Sequence, residues 1–217
     1  MLAFLPLVVA VSWRLGDLEY VTKGMYGRIY RTLFQTDADG GVEVAVKIVP
    51  RDLYESITPF EMDAMRRAGN CPGVLRLISG FQKDGQVWLI SRWLQNENLE
   101  EVIEGGRSLE VGEVEVLARR LLSSLACLHS NGVAHNDLNS SNVILADGVE
   151  QPVIIDFGLA DLDQKSHHYK ADVLALKDMV AQLVSQGSSE FISSLLARIS
   201  EKCDEKDCRA DEIINDL

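Results

Sequence analysis

The sequence predicts an α+β fold of two lobes: a small antiparallel sheet with one helix (about 1–94), then a helical lobe (95–217), together forming a single domain. Three observations predict it. β-branched and aromatic residues alternate around glycine-bearing turns through the first ninety-odd residues. Apolar residues recur at helical spacing beyond residue 110. A linker near 94–98 separates the two patterns. A chain of 217 residues can bury a core, and 47 % apolar with 25 % charged content is that of a globular protein.

The opening run MLAFLPLVVAVSW is too short to span a bilayer, is broken by Pro6 and lacks the basic start of a signal peptide. It reads as an N-terminal strand or packing arm, with a targeting segment as the alternative. Residues 18–35 and 42–49 read as strands, which TDADGG (36–41) joins into a hairpin. Phe60, Met62, Met65 and Ala68 give 58–68 a short helical pattern, and GNCPG ends it. VLRLISGF and VWLISRWL are two further strands about the turn KDGQ.

In the second half, Val114, Leu117, Leu121, Leu125 and Leu128 mark a helix over 110–130, closed by Asn131-Gly132. NVIL and PVIIDF are short strands. Residues 172–184, 189–200 and about 210–216 read as helices.

A net charge of −12, from 21 Lys and Arg against 33 Asp and Glu, argues against a nucleic-acid-binding surface. It leaves room for a phosphate site built from one lysine, backbone amides and a metal. No membrane partner is expected. Cys71, Cys127, Cys203 and Cys208 show no CxxC spacing. They read as free thiols in a reducing compartment, with a Cys203–Cys208 metal pair as the lesser alternative. A cytoplasmic or nuclear location follows from that reading.

Four motifs carry chemistry. TKGMYGRIY (22–30) is a glycine hairpin, and VAVKIV (44–49) places Lys47 on an apolar strand beside it. AHNDLNSSNVIL (134–145) and IIDFGLAD (154–161) follow in the helical half. In this order and at these intervals they resemble the signature set of the eukaryotic-type serine/threonine protein kinases, over roughly residues 18–217. The N-terminal part is most like a cyclin-dependent or casein kinase.

The resemblance implies a bilobal protein-kinase-like fold that uses ATP and Mg²⁺. Gly24 and Gly27 would let backbone amides approach the phosphates, with Thr22 in place of a first glycine. Lys47 would contact the α- and β-phosphates. A buried ammonium needs a carboxylate, for which Glu61 is the choice and Asp63 the runner-up, a surface role for Glu61 being the plain alternative. Ile29, Ala45 and Ile144 would sandwich the adenine. Ser91 would be a small gatekeeper, and Arg92–Leu94 would be the hinge. Asp137 would orient or accept the proton of the attacking hydroxyl, with His135 anchoring its loop. Asn142 and Asp156 would hold the metal.

Three departures stand out. Asn136 replaces an arginine that pairs with a phosphorylated activation loop in many members of the family. Asn139 replaces a lysine that steadies the transferring phosphate. Only a short run separates Asp156 from Asp172, with no A-P-E motif, so the helical lobe lacks an ordinary activation segment and Arg209 lacks its usual glutamate. The brief run and the HNDL loop also resemble the small atypical kinase of the KEOPS tRNA-modifying complex. The leading expectation is an active serine/threonine kinase acting on a protein substrate. The alternatives are an atypical kinase or ATPase working with a regulatory or complex partner, and a nucleotide-binding pseudokinase scaffold.

Overall fold

The computed structural model describes residues 13–24, 26–36, 39–162, 166–184, 188–203 and 208–215. The apolar run 1–12 and part of the TDADGG turn lie outside them.

The first lobe is an antiparallel sheet built from β1 (Trp13–Leu15), β2 (Glu19–Lys23), β3 (Arg28–Thr36), β4 (Asp39–Pro50), β5 (Leu77–Lys83) and β6 (Gln86–Arg92). Its order is β1-β3-β4-β6-β5, with β2 beside β3. Period-two alternation divides β4. Val44, Val46 and Ile48 pack with Ile90, Phe81 and Trp88 on the outer face. Val49 packs with Val87, Leu89 and Tyr54 on the inner face.

Two helices accompany this sheet, where the sequence reading has one. α1 (Arg51–Ile57) follows Pro50 and buries only Tyr54, so it carries almost no apolar period. α2 (Glu61–Arg67) is the expected helix, and it buries Glu61, Ala64 and Met65.

The second lobe contains α3 (Leu99–Glu104), α4 (Val111–Ser130), the hairpin β7 (Val143–Val149) and β8 (Pro152–Ile154), α5 (Ser166–Leu183), α6 (Glu190–Cys203) and α7 (Ala210–Ile214). All five apolar residues that predict α4 are buried in the main core, with Leu176 and Met179 of α5 and Ile192 and Leu195 of α6. α3 is absent from the sequence reading. It is short, but Asn98 and Glu101 form a reciprocal capping box at its start. α5 begins six residues before Asp172, where the sequence reading starts it, since SHHYKA shows no apolar period by which to extend the helix.

Ala64, Met65 and Ala68, the last residue just past α2, share the core of the helical lobe, so α2 is anchored to both lobes. The turn after it is pressed against α4 and β8. Ile154 donates to the Gly73 carbonyl and Leu75 donates to that of Ile154, each at 2.9 Å. Gly73 has φ +64°, and a Cβ there would collide with Ser124 of α4.

This packing overturns the free-thiol expectation. Cys71 is disulfide-bonded to Cys127 of α4 across 56 residues, and Cys203 is bonded to Cys208 across five. Spacing carries no trace of either bond, because the meeting of α2 with α4, and of α6 with the start of α7, creates them. The metal-pair alternative for Cys203 and Cys208 falls with it. Among the described residues, no helix is long and apolar enough to cross a membrane.

Candidate active site

The β4 register places Lys47 opposite Ile29 of β3 and Ala45 opposite Ser91 of β6. Ala45 and Lys47 are two apart and so leave the sheet on the same face. That face roofs a cleft of about 560 Å³ between the lobes. Thr22, Gly24, Ile29, Ala45, Lys47, Glu61, Ser91, Arg92, Leu94, Asn142, Ile144 and Asp156 all line it.

Lys47 Nζ lies 2.6 Å from Glu61 Oε1 and 2.9 Å from Asp156 Oδ1. Burial opposes its charge, but the two carboxylates outweigh burial and hold its pKa above the ordinary 10.5. Burial pushes Glu61 above 4.5, and Lys47 offsets only part of that. The second oxygen of Glu61 is buried with no hydrogen-bond partner. Asp156 also feels burial, yet Lys47 and the Gly158 N–H outweigh it and hold the carboxyl below 3.8. The runner-up Asp63 pairs with Arg66 on the surface, 3.2 Å away, and leaves Lys47 to Glu61.

The cleft floor carries the catalytic-type loop. Asn142 Nδ2 donates to Asp137 Oδ2 at 3.0 Å, and Asn139 Nδ2 reaches Asp137 Oδ1 at 3.3 Å. Both oxygens of Asp137 are therefore oriented. Asn139 Oδ1 in turn accepts from the Ser141 and Asn142 backbone N–H groups and caps the short 3₁₀ turn Ser140–Asn142. His135 Nε2 lies 2.9 Å from the Ile155 carbonyl, which can only accept, so that nitrogen carries the proton. Its Nδ1 then accepts from the Asp137 N–H at 3.3 Å.

Asp172 of α5 braces the loop from beneath. Its Oδ2 accepts from the His135 N–H at 2.8 Å and sits 3.0 Å from His129 Nε2, and its Oδ1 accepts from the Asn136 N–H at 2.8 Å. His129 Nδ1 accepts from the Ala210 N–H at 3.0 Å, which leaves Nε2–H to donate to Asp172. Arg209 has replaced its missing partner. Its Nε donates to Asp211 at 3.0 Å, and its guanidinium lies 4.6 Å from the Tyr169 ring and bonds the His129 carbonyl.

The family model of the protein kinase domain matches residues 17–193. The chain belongs to the protein kinase family. It is similar to the serine/threonine-protein kinase ppk21 of Schizosaccharomyces pombe, at 30 % identity over 68 % of this chain and 26 % of that protein. It is also similar to mouse NUAK family SNF1-like kinase 1, at 29 % identity over 68 % of this chain and 22 % of the relative. The probable cell division control protein 7 homolog 2 of Encephalitozoon cuniculi is 24 % identical over 71 % of this chain and 42 % of its own length. This chain thus spans less than half of each of these relatives.

Two of the residues expected to meet nucleotide or substrate sit apart from the cleft lining, Gly27 and Asp137. A Cβ at Gly27 would lie 2.8 Å from the Ile48 carbonyl oxygen and 2.9 Å from Val49 Cγ2. This glycine is needed for the close approach of β3 to β4. A Cβ at Gly24 would meet only the Gly27 carbonyl oxygen, at 3.7 Å, and Gly24 does line the cleft. Asp137 belongs to the floor through Asn142. Sequence reasoning missed Leu75, Leu89 and Phe157 of the lining. Leu89 was available as the strand neighbour two residues before Ser91. Leu75 was not, since only the docking of the turn after α2 brings it in.

Proposed function

We propose that this chain transfers the γ-phosphate of ATP, with Mg²⁺, to serine or threonine hydroxyls of a protein substrate. The observation that carries the reading is the bridging of Lys47 between Glu61 and Asp156 above an Asp137 whose two oxygens are held by Asn139 and Asn142. The relatives named as serine/threonine kinases support the choice of hydroxyl.

The residues fit both groups. The apolar side chains of Ile29, Ala45 and Ile144 suit a flat base, and the hinge Arg92–Leu94 runs along the same cleft. Asp156 stays ionised, and the nitrogen of Asn142 is committed to Asp137, so the amide oxygen is what Asn142 offers a hard cation. When bound, ATP supplies the phosphoryl group and Mg²⁺ neutralises charge on its oxygens. Lys47 would hold phosphate charge, while Asp156 and Asn142 would hold the metal. Asp137 aligns the substrate hydroxyl and accepts its proton. Asp172 and His135 keep that carboxylate in place.

Incubation with γ-labelled ATP, Mg²⁺ and a pool of serine- and threonine-containing proteins tests the reading. Label on protein that disappears in Lys47→Ala supports it. Equal labelling by wild type and Lys47→Ala, or none by either, contradicts it.

A further inference from the structure

Asn136 and the short run after Asp156 raise a question about order. A phosphorylated loop cannot steady this site through an arginine that is absent, yet the loop is held tightly. The backbones of Ala134 and Asp161 exchange two hydrogen bonds of 3.0 Å. Asn136 takes φ +62°, and its Nδ2 donates to the Leu159 carbonyl at 3.3 Å. The same amide lies 3.4 Å from His168 Nδ1 on α5. His168 Nδ1 is also 2.6 Å from Asp161 Oδ2, and a contact of that length to a carboxylate requires the proton on Nδ1.

His168 and Asp172 are four apart on α5 and so lie on one face of the helix. Asp172 grips the loop backbone, and His168 grips the segment that folds over it. Three stretches of chain thus close a ring: 134–136, 159–161, and α5 at 168 and 172.

We propose that His168 is a positioning residue which, through Asp161 and the backbone pair Asp161 makes with Ala134, holds the Asp137 loop in its working shape without phosphorylation. The proposal rests on the phosphotransfer reading of Asp137. A histidine–aspartate contact inside the fold does here what a phosphate–arginine pair would do on a longer segment.

The test compares His168→Ala with His168→Asn, whose amide nitrogen can occupy the place of Nδ1. Misplacement of a reacting group by an ångström costs up to about 100-fold in rate. The expected result is a kcat about tenfold or more lower in His168→Ala, with KM for ATP unchanged, and recovery in His168→Asn. Phosphatase treatment of the wild type should leave its kcat unchanged. In parallel, amide exchange at 134–139 should quicken in His168→Ala and not in His168→Asn, a readout that survives if the wild type proves inactive. Wild-type kcat and exchange in His168→Ala would overturn the proposal. So would a loss of activity on phosphatase treatment, or a loss that follows thermal stability alone and is not recovered by asparagine.

Discussion

Cys71 and Cys127 tie the turn after α2 to α4, so the helix that presents Glu61 to Lys47 is covalently bound to the helical lobe. A bond that closes 56 residues removes much denatured-state freedom, worth about 4 kcal/mol in the chain-entropy account. Thiol titration of the denatured, unreduced protein should find none of the four cysteines, and four after reduction. The double variant Cys71→Ser/Cys127→Ser should melt at a lower temperature. Four reactive thiols before reduction would restore the reducing-compartment reading and remove the staple.

The two hairpin glycines separate by role. Gly27→Ala forces a methyl against the Ile48 carbonyl and should cost about 1–3 kcal/mol of stability, read in urea unfolding. Gly24→Ala meets nothing nearer than 3.7 Å and should leave stability unchanged. Any effect of Gly24→Ala should appear in KM for ATP instead.

Asn139 is a cap and a support for Asp137, so a lysine in its place should not raise the rate. Asn139→Lys and Asn139→Ala should both lose about 1 kcal/mol of stability with the cap, and both should lower kcat. A faster Asn139→Lys would show that charge at this position outweighs the cap.

Of the two carboxyls that flank Lys47, acid acts first on Glu61. Its folded pKa lies above 4.5, so the folded state takes up a proton that the unfolded state does not, and Glu61 favours folding as pH falls through that window. Asp156 has the opposite sign: its folded pKa is below 3.8, and its contribution is present above the unfolded value and lost as pH falls through the folded one. Lys47 is held above 10.5, so its contribution is lost only as pH rises through that raised value. As pH is lowered, nucleotide affinity in the wild type should therefore begin to fall while the pH is still above 4.5. Glu61→Gln should bind more weakly at neutral pH and lack that limb, which a calorimetric titration series would reveal.

Much of this was legible in the sequence because the chemistry is local. VAVK places Lys47 on an apolar strand, and HNDL with DFG places Asp137, Asn142 and Asp156, whatever the rest of the chain does. What was not legible depends on distant packing. Cys71 meets Cys127 only because α2 shares a core with α4, and Arg209 finds the His129 carbonyl and the Tyr169 ring only once α7 docks beside α4 and α5. His168 sits in a stretch without apolar period, and only α5 puts it beside Asp172. α3 is a different case, since its Asn98–Glu101 box was present in the sequence and was passed over.

Asp137→Asn tests the central claim most directly, because it keeps the size of the side chain and removes its basicity, giving up one of the two hydrogen bonds the carboxylate accepts. Transfer of label from γ-labelled ATP to protein serine or threonine should occur in the wild type. It should be lost in Asp137→Asn, while calorimetry finds equal ATP–Mg²⁺ binding in both. A wild type that binds the nucleotide without labelling protein, or an Asp137→Asn variant that labels as fast as wild type, would contradict the account.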